Sequence, residues 1–304
     1  MTERNTELAN LPTEARNPAS ERIDEVSTLE MLGILHAADQ EAVAAVGRVL
    51  PQIAAAIDAI AARIEAGGRL FYLGAGTSGR LGVLDASECP PTYNTPPQLV
   101  QGIIAGGDAA LRRSIERAED SPELGASDLE EHDFSAADAL VGIAASGRTP
   151  YVLGGVEHAR RLGALTIGLT CVPGSPLAAA AEIAIVPATG PEVVTGSTRM
   201  KAGTATKLVL NMLSTGALIR LGYVYSNLMV NVQPTNTKLA DRAARIVATI
   251  TGLTHDQAAQ LLAQAEAVKT AVVMHKLQLS RAEAEARLAS AHGRLKDALR
   301  TRTT

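Results

Sequence analysis

Aromatic residues are nearly missing from this chain: its 304 residues include no Trp, two Phe and five Tyr. A site that holds its ligand by stacking bases on rings is therefore disfavoured, and the core must be built from Ala, Leu, Val and Ile. Basic excess is missing too. A formal charge of −4 and the lack of any long Lys/Arg cluster leave no field for a phosphodiester backbone, which argues against nucleic acid as a partner. No apolar run approaches the roughly 20 residues that span a bilayer. Met1 to Glu30 is polar and has no signal-peptide core. The expected location is the cytoplasm, with no membrane partner. Cys89 and Cys171 lie far apart without CxxC or Cys/His surroundings and are read as free thiols. The six histidines make no HxxxH or HExxH pattern, and no GxSxG elbow occurs, so neither metal catalysis nor a serine nucleophile is expected.

What is present is an alternation of short apolar runs with helical patterns. Residues 1 to about 26 read as an extended arm with little core of its own, and Ser27 to Ala66 as helical pieces punctuated by Asp39 and Pro51. Runs at Arg69–Leu73, Leu99–Ala105, Ala139–Ala144, Leu165–Thr170 and Ile183–Val186 are each separated by helical pattern. This spacing predicts a doubly wound α/β fold with a five-stranded parallel sheet. A long helix over Arg199 to Leu221 closes it. Beyond Lys238 the chain is Ala-, Leu- and Gln-rich. Thr254 to Gln257 and Ser280 to Glu283 read as capping boxes of a small C-terminal helical bundle.

In such sheets ligands sit beyond the carboxyl ends of the strands. Three loops there combine glycine with hydroxyls before a helix start: Gly74–Arg80, Ala145–Pro150 and Thr195–Arg199. Glycine lets backbone amides approach a ligand, hydroxyls can donate to phosphate oxygens, and the helix end adds partial positive charge. One such loop could be plain capping. Three argue for a phosphorylated ligand, with Thr77, Ser78, Gly79, Arg80, Ser146, Gly147, Arg148, Thr149, Ser197 and Thr198 as its candidate contacts. Gly74, Gly76 and Gly79 also match GxGxxG, but a dinucleotide site needs an acid about 20 residues on. Asn94 to Gln98 offers none.

With metal and serine set aside, chemistry falls to carboxylates. Glu88 is expected at the end of the first crossover helix, which Pro90 and Pro91 should terminate. An acid there opposes the helix dipole, which invites a functional reason. Glu116, Glu119 and Asp120 are expected in the helix after the second strand, with Glu116 and Glu119 on one face. On spacing alone, a solvated surface helix is their plain reading.

Several segments together resemble the N-acetylmuramic acid 6-phosphate etherases, which carry a sugar isomerase (SIS) domain. They are Gly74–Arg80 running into Leu84–Tyr93, Ile104–Gly107, Ala118–Asp120, Gly142–Tyr151 and Val193–Asn211, with further similarity at Thr13-Glu14 and Val26–Met31. The resemblance implies an SIS fold: an N-terminal arm and helices over 1–50, a phosphosugar-binding domain over 51–237 and a helical bundle over 238–304. It implies a homodimer and a phosphosugar substrate; the arm, with little core of its own, is expected to gain its order against the partner subunit. It also implies an etherase working without metal or other cofactor, with two essential glutamates that map onto Glu88 and Glu119. Glu88 would protonate departing lactate and Glu119 would be its acid/base partner. A phosphosugar isomerase and a non-catalytic phosphosugar sensor are the competing readings, and retention of both glutamates favours the enzyme.

Overall fold

The computed structural model describes residues 12–113, 115, 117–232 and 237–300. They form two compact units. The first comprises residues up to Ser87 together with Gln98–Ser214, and the second Glu88–Pro97 together with Thr215 onward.

In the first unit, α1 (Thr28–Gly47) starts at a capping box. Ser27 accepts from the Glu30 amide while the Glu30 carboxylate accepts from the Ser27 amide. The helix runs through Asp39 without a break and ends at Arg48, and α2 (Leu50–Glu65) then begins with Pro51 in its first turn. Asp39 therefore does not interrupt the helix, whereas Pro51, needing no amide partner at a helix start, opens the next one. Five strands follow, β1 (Leu70–Gly74), β2 (Val100–Ile104), β3 (Ala139–Ile143), β4 (Leu165–Leu169) and β5 (Ile183–Ile185). All neighbours are parallel, in the order β2-β1-β3-β4-β5. The strands β1, β3 and β4 are buried at every position, as strands covered on both faces must be.

The crossovers are α3 (Gly76–Tyr93), α4 (Pro122–Glu131), α5 (Pro150–Leu162) and α6 (Pro176–Ala180), and α7 (Lys201–Arg220) follows β5. Pro90 and Pro91 lie inside the last turn of α3. The helix stops at Asn94, which takes φ 54° while its amide donates to the Pro90 carbonyl at 2.8 Å. Proline removes a donor but leaves its carbonyl to accept, so the pair is tolerated three residues short of the end. The stretch before α4 is not helical as expected. Glu119 and Asp120 occupy a turn, and the helix begins only where Ser121 accepts from the Leu124 amide and Pro122 takes the first turn. Glu116 lies outside the described residues.

At the amino ends of β1 and β3, Asp138 is 1 % exposed. Its carboxylate accepts from the Arg69 amide, Nε and Nη2 and from the Ser135 amide and hydroxyl, all within 3.1 Å. Burial pushes the Asp138 carboxyl up, but the hydrogen bonds from Arg69 and Ser135 outweigh it and hold the group below its ordinary value. Deeper in, Asp85 on α3 accepts from Tyr72 Oη at 2.8 Å and from Asn211 Nδ2 at 2.5 Å, tying α3 and α7 to β1.

The N-terminal arm, where described, lies against its own chain. Asn17 Nδ2 donates to the Pro191 carbonyl and Ser20 Oγ to the Val193 carbonyl, at 3.3 and 2.8 Å. Residues 1–11 of the arm lie outside the described residues.

The second unit carries the end of α3, the hairpin β6 (Val224–Tyr225) and β7 (Leu228–Met229), and the helices α8 (Thr237–Thr251), α9 (His255–Ala265), α10 (Val268–Leu277), α11 (Arg281–Ser290) and α12 (Leu295–Ala298). Its core includes Val230, Val247, Leu262, Val272 and Leu288. Both expected capping boxes, at Thr254 and Ser280, are complete.

Candidate active site

The strand order places a topological switch between β1 and β3, where the crossovers leave in opposite directions and a crevice opens at the carboxyl ends. A cleft of about 560 Å³ lies there. Its floor is the start of α3, with Thr77 and Ser78, and the loop Ala144–Pro150, with Ser146, Arg148 and Thr149. Thr198 and Thr206 line it from the segment entering α7 and from α7 itself. Thr77 and Ser78 lie in the first turn of an 18-residue helix, where amides lack intrahelical partners. Thr149 stands at the N-cap of α5 without using its hydroxyl as a cap.

The glycines of these loops act through geometry. A methyl group on Gly79 would come within 2.6 Å of the Gly74 carbonyl oxygen, so Gly79 packs the helix onto the strand end and does not line the cleft. Gly147 has φ 66°, and a side chain there would meet Ser175 Oγ at 2.2 Å. Its carbonyl accepts from the Leu177 amide, and that of Ala145 from the Cys171 amide, which fixes the loop. Ser197 does not line the cleft either, and Arg80 lines an adjoining recess.

Glu119 lines the cleft. Its carbonyl accepts from the amide of Tyr151 in the first turn of α5 at 3.1 Å, and the Arg117 carbonyl accepts from the Asp120 amide at 3.2 Å. The turn holding the carboxylate is thus anchored to the helix that presents Ser146–Thr149. Asp120 and Glu14 also line the cleft, Glu14 from the N-terminal arm. Three carboxylates against the single Arg148 guanidinium make this a site with proton acceptors to spare and with helix ends to hold an anion. Glu88 is exposed on α3 and clusters with the second unit, so it is not described with the cleft.

Two buried ionic groups, Glu192 and Lys201, carry no local signal in the sequence. Glu192, 1 % exposed, accepts from the Lys201 and Ala202 amides at 2.9 and 3.0 Å and so caps α7. Lys201 Nζ in turn donates to Glu41 on α1 at 2.5 Å and to the Pro191 carbonyl at 3.2 Å. Cys89 and Cys171 are both buried and are not in a disulfide, and burial pushes Cys171 up to about 12. Among the described residues no cluster of His, Cys, Asp and Glu could hold a metal ion, and no single helix is long and apolar enough to cross a membrane.

Comparison with known proteins resolves the family. Residues 52–160 match the N-terminal SIS domain of glucokinase regulatory protein and residues 126–216 match the SIS domain, together spanning all the cleft loops. An N-acetylmuramic acid 6-phosphate etherase of Aeromonas hydrophila is 57 % identical over 288 residues, covering 94 % of this chain and 97 % of the relative. One from Rhodopirellula baltica is 53 % identical over 97 % of this chain and 98 % of its own length. The chain belongs to the N-acetylmuramic acid 6-phosphate etherase family. Identity of this extent covers the etherase chain from arm to C-terminal bundle, beyond the SIS domain. A crystal structure from Bacteroides fragilis, described as a phosphosugar isomerase involved in capsule formation, superposes with a TM-score of 0.51 at 21 % identity. It covers 66 % of this etherase-family chain and 95 % of its own, and shares its fold.

Proposed function

We propose that the protein cleaves the D-lactyl ether at C3 of N-acetylmuramic acid 6-phosphate, giving N-acetylglucosamine 6-phosphate and D-lactate, in the recycling of cell-wall amino sugars. The observation that carries this reading is identity of 53–57 % with etherases over nearly the whole chain. The cleft supplies what the substrate needs. Helix starts and the hydroxyls of Ser146, Thr149, Thr77 and Ser78 suit the 6-phosphate, and Glu119 stands beside them.

In the open-chain sugar the C1 aldehyde acidifies the C2 hydrogen. A carboxylate removes that proton, the C3–O bond breaks, and lactate leaves with a proton from a second acid. Water then adds across C2 and C3, its oxygen to C3 and a proton to C2. Carboxylates suffice for these transfers, so the reaction is read as free of metal and other cofactors. Glu119 is assigned as one acid/base by its place on the cleft, and Glu88 as the acid for lactate by the match of its sequence context to the family. We read the enzyme as a cytoplasmic homodimer.

Incubating the purified protein with N-acetylmuramic acid 6-phosphate should release D-lactate and N-acetylglucosamine 6-phosphate in equal amounts. A ketose phosphate with no lactate would replace this reading with an isomerase, and binding without turnover would replace it with a sensor.

A further inference from the structure

Two segments that line the cleft are each followed at once by a helix. Glu119 stands in the turn before α4, and Ser146–Thr149 form the loop before α5. The spacing between the carboxylate and that loop is therefore set by how α4 and α5 sit against each other. They sit close. A Cβ on Gly125 of α4 would come within 1.9 Å of the Tyr151 carbonyl oxygen, and one on Gly154 of α5 within 2.1 Å of the Pro122 carbonyl oxygen, so backbone lies against backbone. Tyr151 joins the two segments twice. Its amide donates to the Glu119 carbonyl at 3.1 Å, and its hydroxyl donates to Asp128 Oδ2 on α4 at 2.5 Å. Its ring is fully buried in a cluster with Leu73, Leu129 and Val156, against which Ala118, the residue before Glu119, also packs. Burial, and then the Asp128 carboxylate, push the hydroxyl well above its ordinary value, so it keeps its proton and remains a donor. Neither Tyr151 nor Asp128 lines the cleft, and no proton transfer in the reaction above uses them.

We infer that Tyr151 and Asp128 are positioning residues for the reaction: their hydrogen bond locks α4 to α5 and so fixes the Glu119 carboxylate relative to the sugar held by the Ser146–Thr149 loop. The inference rests on the etherase reading above and on Glu119 as an acid/base. The glycine contacts set how near the two helices come. The directional bonds from Tyr151 set where along each other they stop. One of these bonds is made by the backbone, and the phenol makes the other. Without the hydroxyl the ring stays buried and α5 keeps its loop, while α4 and the turn before it lose a tie. Binding then persists and proton transfer suffers, because a misplacement of about 1 Å far from the chemistry can cost about 10²-fold in rate.

Steady-state release of D-lactate from N-acetylmuramic acid 6-phosphate separates positioning from mere stability. Tyr151→Phe should lower kcat on the order of 10- to 100-fold and leave KM within about twofold, the pattern of an interaction that serves the transition state and not the bound substrate. Asp128→Ala should match it. Asp128→Asn keeps an acceptor oxygen for the phenol and should retain most of kcat, a rescue that reads the same bond from α4. In a Glu119→Gln background, Tyr151→Phe should change kcat by less than about twofold, because a carboxylate already lost cannot be misplaced. A lowered denaturation midpoint with normal kcat in the folded variants would reduce the pair to a structural tie and overturn the inference. So would a raised KM at unchanged kcat, or full additivity of Tyr151→Phe with Glu119→Gln. If the wild-type protein releases no lactate, the etherase reading itself fails and the positioning role falls with it. Normal wild-type turnover with normal kcat in both Tyr151→Phe and Asp128→Ala would overturn the positioning role alone.

Discussion

The two ends of the central sheet are built from the same strands and opposite principles. At the amino end, Asp138 is buried and accepts hydrogen bonds from Arg69 and Ser135, so its charge is met within the fold. At the carboxyl end, half-buried hydroxyls and an exposed glutamate face an open cleft, and Thr149 leaves its hydroxyl out of the cap it occupies. Polar groups satisfied internally stabilise, whereas polar groups left for a ligand are where binding and chemistry occur. The contrast assigns stability to one end and activity to the other.

The largest expected effect is at the carboxyl end. Glu119→Gln should reduce kcat by about 10²- to 10⁴-fold, the usual loss when a general acid or base is removed, while leaving the denaturation midpoint unchanged. Glu88→Gln should do the same if it is the acid that serves lactate. A variant with near-normal lactate release would remove that glutamate from the mechanism.

The mirror experiment is Asp138→Asn. Neutralising one partner of a buried pair should cost about 3 kcal/mol in chemical denaturation, with KM and kcat of the folded protein unchanged. Because the folded-state pKa of Asp138 is depressed, its contribution is present above the unfolded value and is lost as pH falls through the folded one. The gap between wild type and variant should therefore close on acidification below about pH 4. A gap independent of pH there, or an altered KM, would break the division between the two ends.

Smaller effects are expected from the hydroxyls. Ser146→Ala and Thr149→Ala should each weaken phosphosugar binding by about 1–3 kcal/mol, read as a raised KM, with little change in stability. Unchanged KM in both would move the phosphate elsewhere.

Much of this is legible in the sequence. The five strands follow from continuous apolar runs, and the capping boxes at Thr254 and Ser280 from local side-chain chemistry that needs no tertiary context. The loops after β1 and β3 were legible because glycine and hydroxyls gather there. What stayed hidden depends on contacts distant in sequence. Glu192 caps a helix that starts nine residues later, beyond the reach of any capping pattern, and Lys201 finds Glu41 across 160 residues. Glu14 reaches the cleft only because the arm folds back on its own chain. The helix expected around Glu119 is a turn, since the Ser121-Pro122 start signal outweighs the charge spacing before it. Gly79 belongs to a motif shared by phosphate loops, and its lack of a side chain also lets the start of α3 pack against the Gly74 carbonyl.

The central claim, that carboxylates drive elimination and then hydration, is tested most directly by running the reaction in ¹⁸O-water and locating the label by mass spectrometry. The account predicts one solvent oxygen at C3 of N-acetylglucosamine 6-phosphate and none in D-lactate. Label in the lactate hydroxyl would mean attack at the lactyl carbon and would contradict the account.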